Sequence, residues 1–251
     1  MTSRVTDAET TDSAWKSLYR VGGTAALIAA GLEIAAVLVS VVFFSTSGPA
    51  PTTVIGWFTL LRDDRLLGLF ELGLLDIIAF VLLVPMFLAL YVALRRASQS
   101  WMAIGTTFAF VGLAVYVGTE NAFSMLSLSD QYAAATTDTQ RFMLLAAGQA
   151  MLAIGGVGTG AYMAFFLVGV SALVISVVIL QSDIFDKVTA YVGILAGVLT
   201  LAYCIGSVSV PAGGGPLVWA SGLFEVIWII MVGRRLFHLG RDISKEEVNQ
   251  N

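Results

Sequence analysis

Five carboxylates stand in stretches of this chain where lipid is the expected solvent: Glu33, Glu71, Asp76, Glu120 and Glu225. An ionised carboxylate at the centre of a membrane helix costs about 2.5–3.5 kcal/mol. No Lys, Arg or His stands in the same apolar stretches to neutralise one. The chemistry open to such groups is narrow. They hold a proton, face water or a bound cation, or make hydrogen bonds between helices. Glu33, Asp76 and Glu225 fall near mid-depth of their stretches and form the candidate intramembrane polar site. Glu71, Glu120 and its neighbour Asn121 fall nearer the ends and are secondary candidates. Glu71 and Asp76 are five residues apart, about 140° around a helix, so they cannot both face one small site. Asp76 is the interior one of the pair; Glu71 and Glu120 read as hydrated at the interface or locally hydrogen-bonded. For Glu33, Asp76 and Glu225 a functional polar cavity and structural interhelical bonding both stand. Tyr116, Tyr162, Tyr191 and Tyr203 are available as hydroxyl donors, or as interface and core residues.

The elements that must carry these groups are membrane helices. Of 251 residues, 58% are hydrophobic and 12% charged, against about 25% charged in a soluble domain. A membrane span needs about 20 apolar residues, and six stretches meet that length or come close to it: 21–44, 66–94, 101–122, 161–180, 188–210 and 216–232. The fold class that follows is all-α, a polytopic bundle of six transmembrane helices. Residues 1–20 read as a polar tail, disordered to about Asp12, with an interfacial segment around Trp15, Leu18 and Tyr19. That leader is too long and too acidic for a signal peptide. Residues 45–64 read as a loop broken by Pro49 and Pro51, with Trp57 and Phe58 resting on the membrane surface. Residues 127–154 read as an outer amphipathic helical insert, with a short helix over 131–135 and a capping box at Thr137-Asp-Thr-Gln140 opening the next. Gly155-Gly-Val-Gly-Thr-Gly160 marks a bend, because one helix over 138–180 would be about 60 Å long, twice the hydrocarbon thickness. Gly193 and Gly197 form a small-xxx-small pattern that suits packing within the bundle, or else a dimer face. Residues 234–251 read as a charged tail.

Counting cations orients the bundle. With both termini cytoplasmic, Arg4, Lys16, Arg20, Arg95, Arg96, Lys187, Arg234, Arg235, Arg241 and Lys245 lie inside, and Arg62, Arg65 and Arg141 lie outside. Such a bias of ten to three satisfies the positive-inside rule and implies a multi-pass protein of the cell membrane.

Absences narrow the chemistry. A formal net charge of −4 offers no stripe for nucleic acid. The lone Cys204 cannot form an internal disulfide. His238, at a span's end beside Arg234 and Arg235, cannot supply a bis-histidine haem, an HExxH zinc site or a buried Ser–His pair. There is no Walker motif. No catalytic residue, metal site or cofactor is assigned, and the inventory speaks against an enzyme.

Three stretches carry a family resemblance: Leu18-Tyr-Arg-Val-Gly-Gly23; Gln131-Tyr-Ala-Ala-Ala-Thr-Thr-Asp138 with Leu144-Leu-Ala-Ala-Gly-Gln-Ala-Met151; and Phe185-Asp-Lys-Val-Thr-Ala-Tyr-Val-Gly-Ile-Leu-Ala-Gly197. In these the chain resembles a bacterial family of six-span membrane proteins, domain-of-unknown-function family 4386. The resemblance implies an architecture and no activity, and it carries no functional residue onto this sequence.

Three functions fit. One is binding or transport of a proton, small cation or small amphipathic solute at the buried carboxylates. Another is an accessory protein that packs against a different membrane protein or a second copy, with 127–154 as the contact surface. The last is a lipid-modifying enzyme built on carboxylates and a metal. The bilayer is the one partner that all three require.

Overall fold

The computed structural model describes residues 15–154, 158–209 and 214–250. Its elements are the helices α1 (Lys16–Ser47), α2 (Val54–Asp63), α3 (Arg65–Glu71), α4 (Leu74–Leu94), α5 (Gln99–Thr119), α6 (Ala122–Ala134), α7 (Asp138–Ile154), α8 (Thr159–Leu180), α9 (Lys187–Ser209) and α10 (Gly214–Gln250), with no strand among the described residues. Six helical stretches are long and apolar enough to cross a membrane. The chain is a multi-pass membrane protein with an all-helical bundle.

The bundle is a closed ring in which α1 packs on α4, α4 on α5, α5 on α8, α8 on α9, α9 on α10 and α10 back on α1. Neighbours run antiparallel, so α1, α5 and α9 end where α4, α8 and α10 begin. Close approach of backbones sets the register. A β-carbon on Gly22 would sit 2.7 Å from the Pro85 carbonyl oxygen, and one on Gly23 would sit 2.6 Å from Phe237 N. The adjacent glycines therefore seat α1 against α4 on one side and α10 on the other. Gly193 faces Ser176 and Trp228, and Gly197 faces Leu173 and the Gly169 carbonyl. Their small-xxx-small surface is thus filled by α8 and α10 of the same bundle. The interior is apolar and closely packed around Met86, Phe87, Leu90, Ile175 and Trp228.

At one end of the ring, α2, α3, α6 and α7 form a cap layer with its own small core of Val54, Phe58, Leu61, Leu69, Ala122 and Met125. The chain's cations concentrate at the other end, where Arg95 lies over the Trp15 ring and Arg235 donates to the Ile184 carbonyl. The capping box forms as its sequence implies: Gln140 N donates to Thr137 Oγ1 at 3.2 Å, and Thr137 N donates to Gln140 Oε1 at 3.3 Å.

Several boundaries differ from the sequence reading. Residues 45–64 contain α2 rather than only a loop: Thr53 caps it by accepting from Gly56 N, and Phe58 is buried in the cap core rather than resting on a membrane surface. The signal is the apolar spacing Val54, Phe58, Leu61 on one helical face. Residues 66–94 are not one helix. Gly73 adopts φ +94°, ending α3 and opening α4; this is left-handed backbone that favours glycine. The span over 101–122 ends at Thr119, and α6 replaces the short helix expected at 131–135. The sixth helix does not stop at Val232 but runs on through the charged tail. It continues because Leu236 is fully buried and Leu239 packs against the same core, so α1 still has a surface to bury there. The tail over residues 1–12 lies outside the described residues. So do Gly155, Gly156 and Val157 of the expected bend, whose flanking helices end at Ile154 and restart at Thr159.

Candidate functional site

The register of α1 decides which acids meet. Ser40 Oγ donates to both carboxylate oxygens of Glu71, at 3.0 and 2.8 Å. Nearer the other end of α1, Gly22 nests between Pro85 and Ala89. Between these two anchor points Glu33 comes level with Asp76 on α4. On its other flank, Gly23 against Gly233 and Phe237 brings Glu33 level with Glu225 on α10. Glu33 interacts electrostatically with both Asp76 and Glu225. Asp76 and Glu225 thus flank Glu33 from the two neighbours of α1, and all three are half-buried.

Asp76 is the hub of a wider array. It lies in the first turn of α4, closer to the cap end than the middle of an unbroken 66–94 helix would place it. The unpaired N–H groups of that turn favour a negative charge. Glu120 stands at the opposite kind of position, capping the C-terminus of α5, where the helix field opposes one. Glu120 Oε2 lies 3.0 Å and Asp76 Oδ2 3.8 Å from the place a Gly73 β-carbon would occupy. The missing side chain is what lets the two carboxylates approach. Tyr116 stands between them. Its hydroxyl donates to Asp76 Oδ2 at 3.3 Å, and Glu120 is within hydrogen-bonding reach of the same group. Glu71 also interacts electrostatically with Asp76.

Packing holds Tyr116 in place. Its ring stacks on Phe80 at 4.0 Å between centroids and tilts against Phe165, which meets Tyr203 edge-on at 6.1 Å. Tyr203 in turn stacks with Tyr162, whereas Tyr191 is 62% exposed. Of the four tyrosines, Tyr116 reaches the acids.

Asn121 does something else. It is buried, and its Nδ2 donates to the Met151 carbonyl at 2.6 Å. That carbonyl is one of the last four of α7, which have no partner inside their own helix. The Asn121 side chain therefore pins α7 to the junction of α5 and α6, while its backbone N–H donates to the Glu120 carboxylate.

Sequence reasoning singled out the acids, set Asp76 too near mid-span and missed Ser40 and Gly73. The one available signal for Gly73 was a lone glycine in a run of leucines three residues before an aspartate. Among the described residues no three His, Cys, Asp or Glu side chains come close enough to hold one metal ion. The carboxylates share an electrostatic field without forming a chelate.

A ring of six apolar helices with acids between three of them and a helical cap over one end defines a multi-pass membrane protein. The chain belongs to the family described as Domain of unknown function (DUF4386), whose model matches residues 67–233. That match takes in Glu71, Asp76, Glu120, Asn121 and Glu225, while Glu33 on α1 lies before it. No curated protein and no solved structure matches the chain.

Proposed function

We propose that this protein binds, and passes across the membrane, a proton or a small cation at Glu33, Asp76 and Glu225, with Tyr116 and Glu120 extending the path toward the cap. The observation that carries the reading is the electrostatic contact of Glu33 with both other acids in stretches that contain no basic side chain. Negative groups gathered in a low-dielectric setting call for a positive partner, and the chain supplies none nearby. Their spacing favours a proton, a hydrated ion or the basic head of a small amphipathic solute over a tightly chelated metal. The bias of cations toward the end away from the cap supports an orientation with both termini in the cytoplasm, the bundle in the plasma membrane and the cap facing out.

Purified protein in vesicles containing a pH dye or a sodium dye tests this under an imposed membrane potential. Wild type carries one of these ions above the rate of empty vesicles, and Glu33→Gln, Asp76→Asn and Glu225→Gln each lower the flux at least tenfold. Unchanged flux in all three variants, with carbodiimide labelling of the carboxyls equally unaffected by added cation, overturns the reading.

A second reading has its own support. Helix α7 presents Phe142 at 74% and Met143 at 58% exposure on the cap, an apolar surface suited to another membrane protein. A photo-crosslinker at Phe142 gives a discrete protein adduct in native membranes if this holds, and lipid adducts alone if it does not.

A further inference from the structure

The cap layer contains a cavity of about 170 Å³ between α2, α6 and α7. Its lining includes two guanidinium side chains, Arg62 from α2 and Arg141 from α7, with the hydroxyl residues Thr59, Ser129 and Tyr132 between them and Ile55 at the rim. Among the described residues no acidic side chain lines it. The cap holds three cations in all, Arg62, Arg65 and Arg141. Arg65 forms an ion pair with Asp130; the other two, 79 positions apart in the chain, meet at one concavity.

Local structure does not account for that meeting. Arg62 touches Asp63 at 3.6 Å with both side chains more than 60% exposed, an arrangement that contributes little. Arg141 donates one N–H to the Ala135 carbonyl at 3.3 Å, leaving most of its donors for something else. It also lies near the N-terminus of α7, the end of a helix where a cation is disfavoured. The walls, by contrast, are held firmly. Ser129 Oγ donates to the Phe58 carbonyl at 3.1 Å, and the Phe58 and Tyr132 rings pack at 5.5 Å. The concavity is therefore formed before anything binds in it.

We infer that this cavity is a binding site for a phosphate group. Two guanidinium forks arriving from separate helices match an oxyanion with acceptors on several sides, and arginine is the side chain suited to that recognition. The volume is well below the 300–1,000 Å³ or so of a site for a drug-sized ligand, so it takes the phosphate group and little more. That group comes either from an anionic phospholipid, whose glycerol and acyl portions would leave past exposed Ile55, or from free phosphate. The site is separate from the carboxylate array, and its ligand has the opposite charge.

The test is a thermal-unfolding titration of the full chain in a phosphate-free, neutral detergent at constant ionic strength. One arm adds inorganic phosphate, a second adds dioctanoyl phosphatidylglycerol, and a third adds sodium chloride as control. The expected result is a saturable rise in Tm with one of the first two and none with chloride. Phosphate alone identifies a soluble ligand, and the lipid alone a headgroup. The double variant R62Q/R141Q loses at least tenfold in apparent affinity, while R241Q, at the far end of the bundle, keeps it. R62K/R141K, which preserves charge but not the fork, falls between and serves if the glutamine variant does not fold. No rise with either ligand, or an equal rise in wild type and both double variants, overturns the assignment.

Discussion

Tyr116 has one hydroxyl proton and two carboxylates within reach, Asp76 and Glu120. Removing that proton donor isolates its role. Tyr116→Phe keeps the stack on Phe80 and loses only the hydrogen bond, so the loss in stability is about 0.6–2 kcal/mol by thermal unfolding in detergent. Flux, if the proposed path is used, falls much further. The acids behave in the opposite sense. Glu33→Gln keeps the shape and removes an ionisable group that has two acidic neighbours and no basic residue in its segment. It therefore raises stability by about 1–3 kcal/mol near neutral pH while abolishing cation uptake. A variant that is both less stable and inactive would mean that Glu33 is a structural hydrogen-bonding group. Asn121→Ala belongs with the structural residues: it leaves the Met151 carbonyl without its donor, costs about 1–3 kcal/mol and leaves ion movement alone.

At the scale of elements, the break between α3 and α4 and the crossing of α1 with its two neighbours position the site. Gly73→Ala puts a β-carbon on left-handed backbone and 3.0 Å from Glu120 Oε2. The backbone term alone is about 1–2 kcal/mol, and the displaced Glu120 separates from Tyr116. Melting temperature and flux should fall together. Gly23→Leu strikes the backbone of α10 at Phe237 and Gly233. Backbone atoms cannot yield as a flexible side chain can, so α1 and α10 part and Glu33 loses its register with Glu225. Melting temperature and flux should both fall in Gly23→Leu, whereas Gly31→Leu, at a glycine of the same helix with no neighbour within 4 Å, should change neither.

At the scale of the whole molecule, most of the cations among the described residues lie at the end away from the cap, so its orientation in a membrane is an electrostatic question. A reporter fused after Asn251 should be active on the cytoplasmic side, and a cysteine at Thr59 in the cap should react with an impermeant maleimide added outside. The reverse pattern would invert the bundle without altering its packing. The two proposed sites also fall on different parts of the molecule. Carboxylates lie among the ring helices, where apolar neighbours amplify charge, and the paired arginines lie in the cap, where side chains are solvated.

Much of this was legible in the amino-acid order. Long apolar stretches with few charges require lipid-facing helices, and the carboxylates inside them stand out because no basic residue shares their segments. The capping box at Thr137–Gln140 was equally plain, since its chemistry is local. What the order could not give was depth and adjacency. Gly73 moves Asp76 from mid-helix to a helix start, a change that depends on one backbone angle. Leu236 extends the last helix past two arginines because α1 is there to bury it, a fact about a segment some two hundred residues away. The meeting of Glu33 with Asp76 on one side and Glu225 on the other follows from which helices adjoin in the ring and at what register. Interhelical packing sets both, and composition and periodicity carry no record of it.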